Sequence, residues 1–301
     1  MRNIFRSRVI GATFVALALV ATACGSGDDV ADGSTITVGS FNFPESQILA
    51  EIYAQTLEAN DYPIEKKLNL GSRELIFPSL KSGEIDLLPE YLGSSLGVGF
   101  GIDSASDADS VATALSDAFA AEGVTVLQYA PGEDKNVFVV TQEFAAANNL
   151  VTISDLAGVA DLTLGGPPEC ENRDTCYGGL TGTYGLSQLK FESIQEGAAR
   201  IAALENGEID VGLLFSTQPV IVEKGFVALE DDKVLIRAEN IVPVLNLSIA
   251  DEYGSDLTKL IDSVTAKITT DVLLELNGKV ENEGLDPDAV AKDWLTSNGF
   301  L

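Results

Sequence analysis

The chain has 301 residues, with 18 lysines and arginines, 46 aspartates and glutamates, and no histidine. A formal charge of −28 repels polyanions and anionic lipid surfaces, which excludes nucleic acid as a partner, and it favours attraction of cations. Without histidine there can be no His-based metal site, Ser-His-Asp triad or Cys-His dyad.

The first 23 residues predict export. Arg2, Arg6 and Arg8 form a basic leader, the apolar run VIGATFVALALVATA follows, and small residues precede Cys24. The run is about 15 residues long, short for a bilayer crossing. It resembles a bacterial lipoprotein signal, which implies a signal peptide over residues 1–23, acylation of Cys24 and a flexible tether over residues 24–34. An uncleaved helix or a plain secretory signal is the alternative. Removing the leader takes three of the 18 cations and no acid, so 15 basic residues then face 46 acidic ones.

Beyond the tether, STITVGSFNF predicts a strand entering a loop, and Pro44 suits the first turn of a helix over ESQILAEIYAQTLEAN. PIEKKLNLG reads as a short strand, RELIFPSLKS as a helix stopped by a left-handed Gly83, and EIDLLPEY as a third strand. GVGFG lacks the spacing of a dinucleotide fingerprint, and no G-x-S-x-G elbow occurs. DSASDADS lacks the glycine and glutamate of a calcium loop and reads as a solvated helix cap. GVTVLQYAPGEDKNVFVVT predicts a strand, a Pro-Gly turn and another strand. EGAARIAALEN is helical, Gly207 ends it, and EIDVGLLFST runs as a strand. The return crossing is FVALEDDKVLIRAENIVPVLNLSIA, and only helices follow, with Trp294 as a core or interface residue.

Gly-Glu-Ile-Asp therefore occurs twice, at Gly83–Asp86 and Gly207–Asp210, each time between a helix and a strand. A chain of about 278 residues after the leader that leaves one lobe, builds another and returns predicts an α/β protein with a discontinuous first lobe and two hinge segments. The lobes are assigned to residues 35–130 with 233–301, and to residues 131–232. Cys170 and Cys176 sit in PPECENRDTCYGG with five residues between them, which favours a local disulfide outside the cytoplasm; a two-Cys metal site is the alternative. The acidic pairs Asp231 and Asp232, and Asp286 and Asp288, read as turn and cap residues, so no catalytic role is expected and no cofactor is implied.

Over nearly the whole chain after the leader, the order of VGSFNFPESQILAEIYAQTLEA, KLNLGSRELIFPSLKSGEIDLLPEYLGS, PPECENRDTCYGGLTGTYGL, LENGEIDVGLLFST, LEDDK and ITTDVLLELNGKVENEGLDPDAVAKDWL resembles the substrate-binding lipoproteins of ABC importers for glycine betaine, choline and carnitine. The resemblance implies a type II periplasmic-binding-protein fold, with a solute cleft between two α/β lobes, and delivery to membrane permease subunits by a lipid-anchored monomer outside the cytoplasm. It also implies a quaternary ammonium held in an aromatic cage, here Tyr91, Tyr184 and Phe215 with Phe43 as a fourth wall. Ser40, Asn42, Gln47 and Thr217 are expected at the cleft. Many relatives carry an acid where this chain has Gln218, and often tyrosine where it has Phe215, which implies a less polar pocket and places glycine betaine ahead of choline, carnitine and proline betaine. Lys135 and Arg173 are candidate partners for a ligand carboxylate or plain surface cations. The alternatives are another small solute, such as ectoine or an amino acid, or a surface lipoprotein with no transport role.

Overall fold

A computed structural model describes residues 33–103 and 107–301. The leader and Cys24 lie outside them. Strand β1 (Ile36–Gly39) is buried along its whole length and leads into helix α1 (Pro44–Glu58). Pro44 fits the first turn because its fixed φ matches a helix and its missing N–H has no partner there. Ile48, Leu49, Ile52, Tyr53 and Leu57 turn one face inward, and each fully buried Leu or Ile contributes roughly 1.5–3 kcal/mol. Next come β2 (Ile64–Lys67), α2 (Arg73–Ser82), β3 (Leu87–Tyr91), α3 (Leu92–Phe100), α4 (Ala108–Ala120) and β4 (Val124–Val126). The Asp107 carboxylate accepts from the Ser110 N–H at the start of α4, the helix cap expected there.

The chain then crosses to β5 (Asn136–Val140) and α5 (Gln142–Asn148), followed by β6 (Thr163–Gly166), α6 (Tyr177–Gly182) and β7 (Lys190–Ser193). The second lobe is completed by α7 (Ala198–Glu205), β8 (Val211–Phe215), α8 (Val220–Glu223) and β9 (Val227–Ala228). After the return come β10 (Ile241–Asn246), α9 (Leu247–Thr265), α10 (Thr270–Glu281) and α11 (Pro287–Ser297). The pattern DLTKLIDSVTAKITTDVLLELNGKV predicts that the first of these helices starts at Asp256. The helical segment begins nine residues earlier, and Gly254, at φ 68°, supplies the break between its two parts. In α11, Val290, Ala291, Trp294 and Leu295 are buried, and Gln55 of α1 donates to the Asp288 carbonyl.

The two sheets repeat one topology: β2-β1-β3-β10-β4 and β7-β6-β8-β5-β9. In each, three parallel strands are followed by an antiparallel one that has just crossed from the other lobe. The crossings run side by side: Glu133 bridges to Asn240, Asp134 N–H donates to the Glu239 carbonyl at 3.0 Å, and Ile241 N–H to Gly132 at 3.2 Å. Residues 233–236 stay attached to the second lobe, because the Asp231 carboxylate accepts from the Leu235 and Ile236 N–H groups at 2.9 and 2.7 Å.

The repeated tetrapeptide does the same work twice. Gly83 and Gly207 end their helices at φ 76° and 69°, where a β-carbon is strained. Ile85 then packs over Gly39, and Ile209 over Gly165, so closely that a β-carbon on either glycine would meet the isoleucine at 2.9 and 2.3 Å. Asp86 and Asp210 each accept from a backbone N–H of the parallel neighbouring strand, Thr37 of β1 and Thr163 of β6, both at 2.8 Å.

Candidate functional site

The C-terminal ends of β3 and β8 face each other across the junction of the two lobes, as crevices in open α/β sheets do. A cavity of about 90 Å³ lies there. The first lobe lines it with Phe41, Asn42 and Phe43 of the β1–α1 loop, Ser72 and Arg73 at the start of α2, Tyr91 at the end of β3 and Ser94 of α3. Asp134 of the first crossing faces it, with Asn136 of β5. The second lobe adds Pro167, Glu169 and Arg173 from the cysteine loop, Gln195 and Glu196 before α7, and Leu213 and Phe215 of β8.

Phe43 stands at the centre of the ring cluster: its centroid is 5.8 Å from Phe41, 6.0 Å from Tyr91 and 5.9 Å from Phe215. Behind the rings lies a buried polar knot. The Tyr91 hydroxyl donates to Glu45 Oε1 at 2.8 Å, while Glu45 Oε2 accepts from Thr217 Oγ1 and from Asn277 Nδ2, each at 2.7 Å. Asp134 Oδ1 accepts from the Thr217 N–H at 3.1 Å and the Ser216 hydroxyl at 3.2 Å. Burial pushes the Glu45 carboxyl above its ordinary range, and burial with the Glu45 charge nearby pushes Asp134 well above its own. Burial and the charges of Glu45 and Asp134 raise the Tyr91 hydroxyl as well, so it stays protonated and donates.

Both arginines of the cavity are already paired. Arg73, 7 % exposed, donates to Glu90 through Nε at 2.9 Å and Nη2 at 2.8 Å, with its guanidinium 5.0 Å from the Phe41 centroid. Arg173 reaches across the cleft and grips Glu74 with Nε at 2.9 Å and Nη2 at 3.0 Å. Neither is the plain surface cation that was one option for Arg173. Lys135 pairs with Glu133 at 3.0 Å and does not line the cavity.

Of the residues expected at the cleft, Tyr91, Phe215, Phe43 and Asn42 line the cavity and five others do not. Tyr184 packs in the second lobe's core, 5 % exposed, with its hydroxyl on Asp231 and the Lys233 ammonium 4.9 Å from its ring; the Asp231 hydrogen bond turns it away from the cleft. Ser40 is fully buried, donating to the Phe41 carbonyl at 3.0 Å and accepting from the Asn69 N–H at 2.8 Å, so it shapes the loop. Gln47 lies on α1 and is not among the residues lining the cavity. Thr217 sits one layer behind the lining and ties Glu45 to the second lobe. Gln218 turns the other way: its amide donates to Glu196 and Glu281, and its oxygen accepts from the Phe215 N–H. The expected loss of polarity is accordingly absent, because carboxylates arrive from Glu45, Asp134 and Glu196 instead. Glu196 is raised to about 7, by burial first and by the charges of Glu281, Glu45 and Glu169, against the pull of Arg200.

This geometry has known counterparts. A family model described as the substrate binding domain of ABC-type glycine betaine transport systems matches residues 34–297. The chain belongs to that family. It is the substrate-binding component of an ABC importer, a transport protein rather than an enzyme, and such components work outside the cytoplasm. A glycine-betaine-binding protein of Pseudomonas aeruginosa is 27 % identical over 90 % of this chain and 90 % of its own length. The carnitine transport binding protein OpuCC of Listeria monocytogenes is 26 % identical over 89 % of this chain and 88 % of its own. Among solved structures, a glycine betaine/carnitine/choline ABC transporter protein superposes with a TM-score of 0.70 at 24 % identity, covering 88 % of this chain and 99 % of its own. Lactococcal OpuAC in its closed form with glycine betaine gives 0.68 at 16 % identity, covering 89 % and 97 %. These structures establish the two-lobed α/β fold expected from the sequence. Among the described residues, no helix is long and apolar enough to cross a membrane.

Proposed function

We propose that this chain captures a small quaternary ammonium solute, closes its two lobes over it and hands it to a membrane permease. The observation that carries the reading is the ring cluster of Tyr91, Phe43 and Phe215 at the lobe junction, backed by buried carboxylates. A trimethylammonium head has charge but no N–H, so hydrogen bonds cannot select it, whereas aromatic faces attract it from several sides. Each desolvated face contributes about 1–2 kcal/mol, enough for three rings to support micromolar binding after the cost of association. The names of the relatives, which refer to glycine betaine and carnitine, support the same solute class.

Tyr91, Phe215, Phe43 and Asn42 contact the solute in this reading, and Thr217 with Gln218 and Ser40 hold those side chains in place. A cation between two rings stands up to about 6 Å from each centroid. Rings already 5.9–6.0 Å from Phe43 therefore require Phe43 to move aside as solute enters. The same reading takes Cys24 as a lipid attachment point and Cys170 with Cys176 as a disulfide, and the binding unit as a monomer. Cys24→Ala then releases the protein from the membrane fraction.

Thermal melting against glycine betaine, choline, carnitine, proline betaine and ectoine tests the function, since a bound ligand raises the midpoint according to its concentration over Kd. A rise with quaternary amines supports the reading. No rise with any of them overturns it, and a rise with ectoine alone moves the site to another solute class.

A further inference from the structure

We infer that a second cavity, which shares Phe43 with the first, is a working part of the binding device: it receives the Phe43 ring when solute arrives, and until then that ring holds the place of the ammonium. The inference rests on the quaternary-ammonium reading and makes Phe43 a displaceable occupant of the ring cluster as well as a neighbour of the solute.

Ring geometry carries the first half. The Phe43 ring lies nearly parallel to both Phe41 and Phe215, at interplanar angles of 12° and 22°, and tilted by 42° to Tyr91. Any group that takes its place stands 5.8–6.0 Å from three aromatic centroids, which is the reach of a cation–π contact, about 6 Å. A point common to three rings is thus filled by a fourth. A trimethylammonium competes for it successfully because its charge is attracted to the ring faces, whereas Phe43 offers them aromatic and apolar contact alone.

The second cavity carries the other half. It measures about 490 Å³ against about 90 Å³ for the first, and Asn42, Phe43 and Glu196 line both, so these three form the partition. Two of them are held: the Asn42 N–H donates to the Gly71 carbonyl at 3.2 Å, and the Glu196 carboxylate accepts from the Gln218 amide at 3.0 Å. Phe43 is half-buried and is kept in place by packing. Pro44 holds the Phe43 backbone extended, at φ −124° and ψ 154°, so the ring leaves by turning about χ1 from one staggered position to another while the main chain stays put. Pro44, Ile201 and Val220 line the larger cavity and restore part of the apolar contact the ring gives up, and Ala202, exposed on α7, leaves room for it. A site that is filled part of the time by its own side chain binds more weakly in proportion to the fraction left free, so Phe43 sets both the affinity and the speed of capture.

Stopped-flow association and calorimetry with choline and glycine betaine test this on the unlipidated chain. The forms compared are the wild type, Phe43→Ala, Ala202→Trp, which fills the larger cavity from a position that does not line the first, and the double variant. Phe43→Ala is expected to associate about tenfold faster and to bind about fivefold tighter. Ala202→Trp is expected to associate about tenfold more slowly, and to have no such effect once Phe43 is alanine, a coupling that independent sites do not show. Association no faster in Phe43→Ala than in the wild type makes Phe43 a fixed wall and overturns the inference while the function stands. So does an unchanged rate in Ala202→Trp, or a slowing by Ala202→Trp that persists in full in the double variant. If Phe43→Ala does not fold, Ala202→Trp against the wild type decides alone. Failure of every quaternary amine to bind any of the four forms overturns both this inference and the functional reading beneath it.

Discussion

Tyr91 and Glu45, 46 positions apart, share a buried hydrogen bond of 2.8 Å that joins the cavity wall to the link between lobes. The ring of Tyr91 faces the cavity, its hydroxyl fixes Glu45, and the other Glu45 oxygen is held by Thr217 of the second lobe. The ring and the hydroxyl can be separated. Tyr91→Phe keeps the aromatic face but leaves a buried carboxyl oxygen short of a donor, a loss of about 1–3 kcal/mol in stability. Tyr91→Ala removes the face and weakens binding of the favoured quaternary amine about tenfold or more. Denaturant unfolding and calorimetry on both variants check this. Equal affinity in the wild type and a folded Tyr91→Ala variant sinks the ring's assigned role.

Tyr184 supplies the opposite expectation. Its hydroxyl serves Asp231, and it also accepts from the Lys233 N–H at 2.9 Å, so its work is to fasten the loop that leads out of the second lobe. Tyr184→Phe should lower stability by about 1–2 kcal/mol and leave the solute affinity within about twofold. A tenfold affinity loss with unchanged melting would return Tyr184 to the cleft.

What the sequence discloses and what it conceals separate along contact distance. Helix stops, strands and the doubled Gly-Glu-Ile-Asp unit are local features, and Asp86 and Asp210 repeat one contact in both sheets. Tyr91 and Phe215 are legible for the same reason, because each ends the strand that follows one copy of the unit. Glu45 looks like any acid in a first helical turn, where the helix dipole favours one, and Asp134 like a residue of a Pro-Gly turn. Their role arises only when Thr217, 172 positions from Glu45 and 83 from Asp134, is folded between them. Tyr184 was misplaced by the same limit, since Asp231, which claims its hydroxyl, lies 47 positions away.

Glu239 sits on the return crossing, 3 % exposed, accepting from the N–H and hydroxyl of Ser94 at 3.0 and 2.7 Å. Burial raises its pKa to about 7; the Ser94 hydrogen bonds and the Arg73 charge oppose the rise, and the Glu90 charge adds to it. The unfolded chain releases this proton near the ordinary value of 4.5. Between those values the folded state holds more protons, so the stability Glu239 contributes is full below about 4.5, declines as pH rises, and is gone above about 7. Glu74 has the opposite sign, lowered to about 2 by Arg173 against a burial effect that raises it, but it is partly exposed and its contribution is screened. Glu239→Gln should flatten the fall in melting temperature between about pH 5 and pH 7.5 and raise stability at the upper end. Parallel pH profiles for the variant and the wild type would show that Glu239 does not titrate in this window.

The side chains of Cys170 and Cys176 meet sulfur to sulfur. Their loop does more than close a ring, because Arg173 within it is fixed at both ends: its N–H donates to the Cys170 carbonyl and its own carbonyl accepts from the Cys176 N–H. That clamp holds the guanidinium where it meets Glu74 of the first lobe, and it sets Pro167 and Glu169 against the cavity. In the disulfide-bonded form proposed above, closing so short a ring contributes about 2 kcal/mol through chain entropy. Replacing both cysteines with serine should lower the unfolding free energy by about that much, read as a lower denaturant midpoint. It should also speed solute release, since an unclamped Arg173 pays conformational entropy each time the cleft closes. Stopped-flow release of a bound quaternary amine, measured on the oxidised protein, the reduced protein and the double-serine variant, separates the two effects. Release at the same rate in all three, with only the midpoint shifted, would confine the cysteine loop to stability and leave Arg173 able to find Glu74 unaided.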